Sequence, residues 1–181
     1  EPDNWTHMNL NDEDWVWLYA VDFLDADNGF VGGSFGNGYV LAQTTDRGET
    51  WSYIEGLTNC DINAIEYFNE NKIVISDRCN QIFISNDGGL NWQQIIIDAY
   101  EFRDIEFYDE NNGLIVGRSP NTPGNNGIWR TTDGGNTWSE IFSGIPDNIN
   151  GLYDVDYASQ NVVFAAGDDD GAIRSTDGGL T

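Results

Sequence analysis

Apolar and polar residues alternate with a period of two through most of the chain, and no ten-residue stretch holds the 3.6-residue period of a helix. Val21 and Phe23 flank Asp22, Ile65 and Tyr67 flank Glu66, Ile105 and Phe107 flank Glu106, and Val155 and Tyr157 flank Asp156. Each triplet marks a half-buried strand. A turn rich in Asp and Asn follows, such as Asp25 to Gly29 or Asp109 to Gly113. Next come more continuous apolar strands at Phe30–Gly32, Ile73–Ile75, Leu114–Val116 and Val162–Phe164. A third strand, such as Ile82–Ile84 or Ile128–Arg130, leads to a polar turn and a tryptophan, and a fourth strand leaves it. The pattern predicts repeated four-stranded antiparallel meanders and an all-β fold.

The polar turns are near copies of one another. Thr44-Thr45-Asp46-Arg47-Gly48-Glu49-Thr50-Trp51 recurs as Ser85 to Trp92 and as Thr131 to Trp138, and Ser175 to Thr181 carries most of a fourth copy. The aspartates Asp46, Asp87, Asp133 and Asp177 stand 41, 46 and 44 residues apart, the length of a four-stranded propeller blade. These residues resemble the Asp-box repeat, Ser/Thr-x-Asp-x-Gly-x-Thr-Trp. The stretches Phe23 to Gly32 and Phe107 to Gly117 are similar to blades of photosystem II assembly-factor-like propellers. Sortilin-type receptors and xyloglucanases also carry Asp boxes. The resemblance implies a β-propeller whose boxes are the turns between the third and fourth strands of each blade.

In physical terms the box is a turn device. Its Asp can accept N–H groups of its own turn, Gly48, Gly89, Gly135 and Gly179 permit positive φ, and Trp51, Trp92 and Trp138 plug the space between strands or blades. Chain direction puts these turns on one face of the propeller and the connections that differ between repeats on the other. Variable loops on a rigid scaffold are the better place to seek function.

The whole chain, 1–181, reads as one propeller segment. Residues 1–8 form an outer strand of a preceding or closing blade, 9–57, 58–98 and 99–144 are complete repeats, and 145–181 is an incomplete one. Asn4-Trp5-Thr6-His7-Met8 resembles the strand after a box, and Trp5 keeps the period with Trp51. Two arrangements follow: a slice of a larger propeller, which we expect, or a four-bladed ring closed by Thr6 pairing beside Ile173. The opening Glu1-Pro2-Asp3 reads as a mature or trimmed segment rather than a signal peptide.

Charge narrows the partners. With 31 acidic against 7 basic residues the net charge is −24, which disfavours nucleic acid and anionic membrane surfaces. No apolar run approaches 18 residues, so direct membrane insertion is not expected. Cys60 and Cys79 fall nearly opposite each other at the open end of one predicted hairpin, which predicts a disulfide. A disulfide implies an oxidising compartment, so the chain reads as secreted, cell-surface or periplasmic.

The distinctive loops give the candidate binding residues Arg78, Arg118, Asn121 and Asn125, joined by Trp15 and Trp17 from the first connection. Asp168, Asp169 and Asp170 offer oxygen ligands of the type Ca²⁺ takes, without an EF-hand spacing. No catalytic residue is assigned: the arginine cluster of sialidases is missing, and the abundance of acids singles out no pair for glycoside hydrolysis. The reading is a binding or scaffold propeller for a protein partner at the variable-loop face, more a binder than an enzyme. The alternative is a glycan-binding or polysaccharide-active propeller.

Overall fold

The computed structural model describes residues 10, 16–36, 38–122, 126–141, 149, 151–168 and 171–180. The described residues form four antiparallel sheets, each a simple meander. The first joins β1 (Val16–Phe23), β2 (Gly29–Phe35), β3 (Gly38–Thr44) and β4 (Ser52–Tyr53). The second joins β5 (Ile62–Tyr67), β6 (Ile73–Asp77), β7 (Gln81–Ser85) and β8 (Gln93–Ile96). The third joins β9 (Glu101–Phe107), β10 (Gly113–Arg118), β11 (Asn126–Thr131) and β12 (Ser139–Glu140). The fourth has three strands, β13 (Leu152–Ser159), β14 (Val162–Gly167) and β15 (Ala172–Ser175). No helix of the described residues is long and apolar enough to cross a membrane.

First strands neighbour first strands: β1 packs beside β5, β5 beside β9 and β9 beside β13. Each sheet is therefore a blade, and the blades fan around a common axis lined by β1, β5, β9 and β13. This is a β-propeller segment. The expected outer strand at 1–8, and with it the pairing of Thr6, lies outside the described residues.

The apolar residues of the alternating strands pack between blades rather than within them. Phe30 and Leu41 of the first blade meet Ile62, Ile65 and Phe83 of the second. Val74 and Ile84 of the second meet Ile105 and Trp129 of the third. Leu114 and Val116 of the third meet Val155 and Val163 of the fourth. Three joints of one design hold the segment together, and burial of these faces is its main driving force.

The box sequences form the turns between third and fourth strands, on the same face as the turns between first and second strands. The backbone shows this directly: Arg47, Gly88, Gly134 and Gly178 donate N–H bonds to the carbonyls of Asp27, Asn71, Asn111 and Asn161. Within the third turn, the Asp133 carboxylate accepts from Thr131 Oγ1 at 2.9 Å, Thr137 N at 2.9 Å and Thr137 Oγ1 at 2.6 Å. Trp138 Nε1 donates to Gly135 O at 2.7 Å. Gly134 and Gly135 have φ of +74° and +92°, so the turn needs two consecutive left-handed residues. Asp46 and Asp87 repeat these bonds. Trp51, Trp92 and Trp138 are half-buried rather than enclosed, because each indole edge reaches its own turn carbonyl at the rim of the blade.

Candidate binding face

Every first strand carries a β-bulge near its start, on the face opposite the box turns. Register shifts fall between Leu18 and Ala20, between Ile62 and Ala64, opposite Val116 and Gly117, and between Leu152 and Asp154. The extra residues are Tyr19, Asn63, Arg103 and Tyr153. A bulge re-aims one side chain out of the alternating pattern. Here all four, with Arg78, line one depression of about 250 Å³. The bulge presses its backbone against the second strand. A Cβ on Gly33, Gly117 or Gly167 would come within about 2 Å of the carbonyl oxygen of Trp17, Glu101 or Gly151, and only glycine fits there. The glycine closing the motif that ends at Gly117 therefore serves the bulge.

Arginines gather at this mouth. Glu101 accepts Arg103 Nη2 at 2.5 Å and Arg103 Nε at 3.1 Å. Arg78 Nε stands 3.4 Å and Arg118 Nη1 3.9 Å from the same carboxylate. Arg78 also faces Asp61 at 3.7 Å. Three of the chain's six arginines thus gather around Glu101 and Asp61, in a chain of net charge −24. The Arg103 guanidinium lies 4.9 Å over the Tyr153 ring. Tyr153 in turn donates to Asp168 Oδ2 at 2.7 Å, and that bond raises the phenol's pKa.

The Arg78 loop is held stiffly. Cys60 and Cys79 form the expected disulfide, with Cα atoms 5.9 Å apart, pinning the loop to the start of β5. Behind it the fully buried Asp77 carboxylate accepts from Thr58 Oγ1, Cys79 N, Gln81 N and Gln81 Nε2, all within 2.9 Å. Four donors satisfy a buried charge that would otherwise be costly. Arg78 is thereby presented on a fixed platform, which lowers the ordering cost of binding.

Below the mouth, toward the box turns, the axis is acidic. Asp22, Glu66, Asp104 and Glu106 line an open groove of about 490 Å³. Two of them also tie blades together: Tyr67 N donates to Asp22 at 2.7 Å, and Phe107 N to Glu66 at 3.3 Å. Asp104 ties the last joint, accepting from Val155 N at 2.9 Å. Burial, then the nearby Glu106 and Asp22, push the Glu66 carboxyl up to about 9. Burial also raises Glu106 and lifts Asp104 to about 7. Glu66 and Glu106 act on each other's titration: Glu106 raises Glu66, and Glu66 opposes the rise of Glu106.

The remaining candidates fall elsewhere. Asn121 turns to the blade rim, donating to Glu140 at 3.1 Å and Asp98 at 3.4 Å. Trp17 is half-exposed on β1 and does not line the depression. Trp15, Asn125, Asp169 and Asp170 lie outside the described residues. Asp168 is engaged by Tyr153, and no group of three His, Cys, Asp or Glu side chains among the described residues is arranged to hold a metal. Sequence reasoning missed Arg103, Tyr19, Asn63 and Tyr153. Each stands three residues before the acid of its strand (Asp22, Glu66, Glu106, Asp156), a spacing that was there to be read.

No family model and no curated protein matches the chain. Solved structures do resemble it. One described as YCF48 bound to D1 peptide superposes with a TM-score of 0.58 at 17% identity, covering 93% of this chain and 80% of that one. YCF48 from Cyanidioschyzon merolae gives 0.62 at 16% identity over 91% of this chain and 57% of its own. The GH74 enzyme of Niastella koreensis gives 0.62 at 17% identity, over 83% of this chain and 26% of its own. The chain thus spans just over half of one YCF48 structure and about a quarter of the GH74 enzyme. At these identities the likeness is one of fold.

Proposed function

We propose that the chain is a segment of a larger propeller of the Asp-box type that binds a peptide or protein partner at the axial mouth of its loop face. The observation that carries this is the convergence of Arg78, Arg103 and Arg118 on Glu101, with the bulge residues Tyr19, Asn63 and Tyr153 beside Arg78 and Arg103, in an otherwise acidic molecule. Guanidiniums bind carboxylates through paired N–H groups, and tyrosines supply flat contact area at small entropic cost. An acidic segment or a chain-terminal carboxylate fits that chemistry by displacing Glu101 as the arginines' partner. The YCF48 structure bound to a peptide supports the reading at the level of fold. The disulfide and the acidic surface support a secreted, cell-surface or periplasmic setting.

A glycoside hydrolase is the competing reading, favoured by the likeness to a GH74 enzyme and by the acidic groove. Such chemistry needs two carboxyls separated by roughly 5–10 Å, with the sugar between them. The acids of that groove, Asp22, Glu66, Asp104 and Glu106, single out no one pair for these roles. The experiment is fluorescence anisotropy with a labelled hexapeptide ending in two acidic residues and a free carboxylate, against its amidated and Lys-terminated counterparts. The proposal expects saturable binding of the free acid that weakens as salt rises. Equal signals for all three peptides, or none, would reject it.

A further inference from the structure

Each four-stranded blade ends in an outer strand bonded to one neighbour, so its far edge lies open along the rim. In the first and third blades that edge is short and acidic. β4 and β12 have two residues each, Glu55 follows the first and Glu140 ends the second. Short strands and charges are how exposed edges are kept from pairing. β8 has four residues, and no residue from Asn91 to Ile97 is charged. The second blade has a blade packed on each side, and Ile96 is still 67% exposed. Among the described outer strands, β8 alone has an unprotected edge.

The register decides which backbone groups face outward. Ile97 N donates to Asn80 O at 3.1 Å, and the same register pairs Ile95 with Ile82 and Gln93 with Ile84. Directly opposed residues of antiparallel strands alternate between bonded and non-bonded pairs. The N–H and C=O groups of Gln94 and Ile96 therefore point away from β7, along the rim. The Gln94 side chain reaches back to Gln81, and Ile95 packs into the joint with the third blade, so neither covers them. Two outward donor–acceptor pairs, two residues apart, form the pattern that an extended polypeptide matches.

We infer that β8 takes a fifth strand from a partner protein: an extended antiparallel segment with an apolar residue opposite Ile96 and a Lys or Arg two positions before it. The apolar residue covers Ile96 across the pair. The cation meets Asp98, which stands exposed just past the loop-face end of the strip, and it suits a chain of net charge −24. A second copy of the chain is a poorer occupant. Like charge opposes it, and a four-residue edge offers little of the roughly 1,200 Å² at which stable interfaces begin. First strands line the axial mouth and β8 is the outermost strand of its blade, so this site does not depend on what the mouth binds.

Nuclear magnetic resonance of the isotope-labelled 181-residue chain, titrated with the peptide acetyl-Gly-Lys-Thr-Ile-Thr-Val-Thr-amide, tests the site. In the antiparallel register the peptide's lysine, isoleucine and valine lie opposite Asp98, Ile96 and Gln94. Saturating peptide should slow hydrogen exchange of the Gln94 and Ile96 amides at least tenfold, and the same peptide with proline for its isoleucine should not. Ile96→Glu gives the second blade the acid that Glu55 gives the first at the same register. It should weaken binding at least tenfold with an unchanged melting temperature. Gln94→Pro removes only an outward N–H and should lose binding likewise. Exchange at Gln94 and Ile96 that ignores the peptide, equal binding of the proline peptide, or full binding by Ile96→Glu would each overturn the inference. So would dimers of the peptide-free chain paired through β8.

Discussion

The two faces of the propeller are built on opposite principles. On the box-turn face, four near-identical turns satisfy themselves: Asp46, Asp87 and Asp133 are held below the usual carboxylate range first by the hydroxyl or amide of Thr50, Asn91 and Thr137. Groups so fully engaged leave little for a ligand. On the loop face, the four bulges carry four positions filled by three residue types, and three arginines share one glutamate. Repetition marks what the fold needs, and departure from repetition marks the face where we propose recognition. Between the faces, Glu66, Asp104 and Glu106 pull the other way from the turn aspartates, since burial raises them.

The largest expected effect belongs to the Cys60–Cys79 bridge, which joins the scaffold to the binding face. Replacing both cysteines by serine should cost about 3 kcal/mol by loop-closure reasoning and should also weaken peptide binding, because Arg78 loses its platform. Denaturant unfolding and anisotropy check the two parts; lost stability with unchanged affinity would detach Arg78 from the site. Trp138→Ala comes next, at about 2–3 kcal/mol for a half-buried indole, with affinity unchanged.

A smaller effect separates the two kinds of carboxylate. Glu66 titrates higher in the folded chain than its ordinary 4.5, so its favourable contribution is complete below that pH and is lost as pH rises through about 9. The turn aspartates titrate below 3.8, so theirs is present above that value and lost as pH falls below it. Glu66→Gln should therefore raise stability on the order of 1 kcal/mol at pH 9 and little at pH 4. Thermal melts at both pH values decide it; equal gains would contradict the raised titration. The smallest expected change is Gly134→Ala, about 1 kcal/mol, where φ is +74° and a Cβ would stand 2.9 Å from Glu110 O.

Most of the scaffold was legible in the sequence. Period-two alternation gave the strands, the Asp46–Asp87–Asp133–Asp177 spacing gave the blades, and the cysteine register gave the disulfide. The site was legible only in part. Arg78 and Arg118 stood out because they sit in unlike loops, whereas Arg103 hid inside a strand. A bulge adds one residue without changing composition, so its only marks are the glycine opposite and the fixed offset to the following acid. The axial acids were visible as Asp22, Glu66, Glu106 and Asp156, but the burial of Glu66 and Glu106 depends on how blades meet, which no single repeat encodes.

The central claim, that recognition resides at the axial mouth and stability in the turns, rests on one paired measurement. The labelled acidic hexapeptide is titrated against Arg103→Gln and Asp133→Ala, with a melting curve recorded for each. The account predicts that Arg103→Gln loses at least tenfold in affinity while melting within a degree or two of the parent, about 1.4 kcal/mol of binding with little of folding. Asp133→Ala should melt several degrees lower and bind as the parent does. The reverse pattern, with binding lost at Asp133 and kept at Arg103, would contradict it.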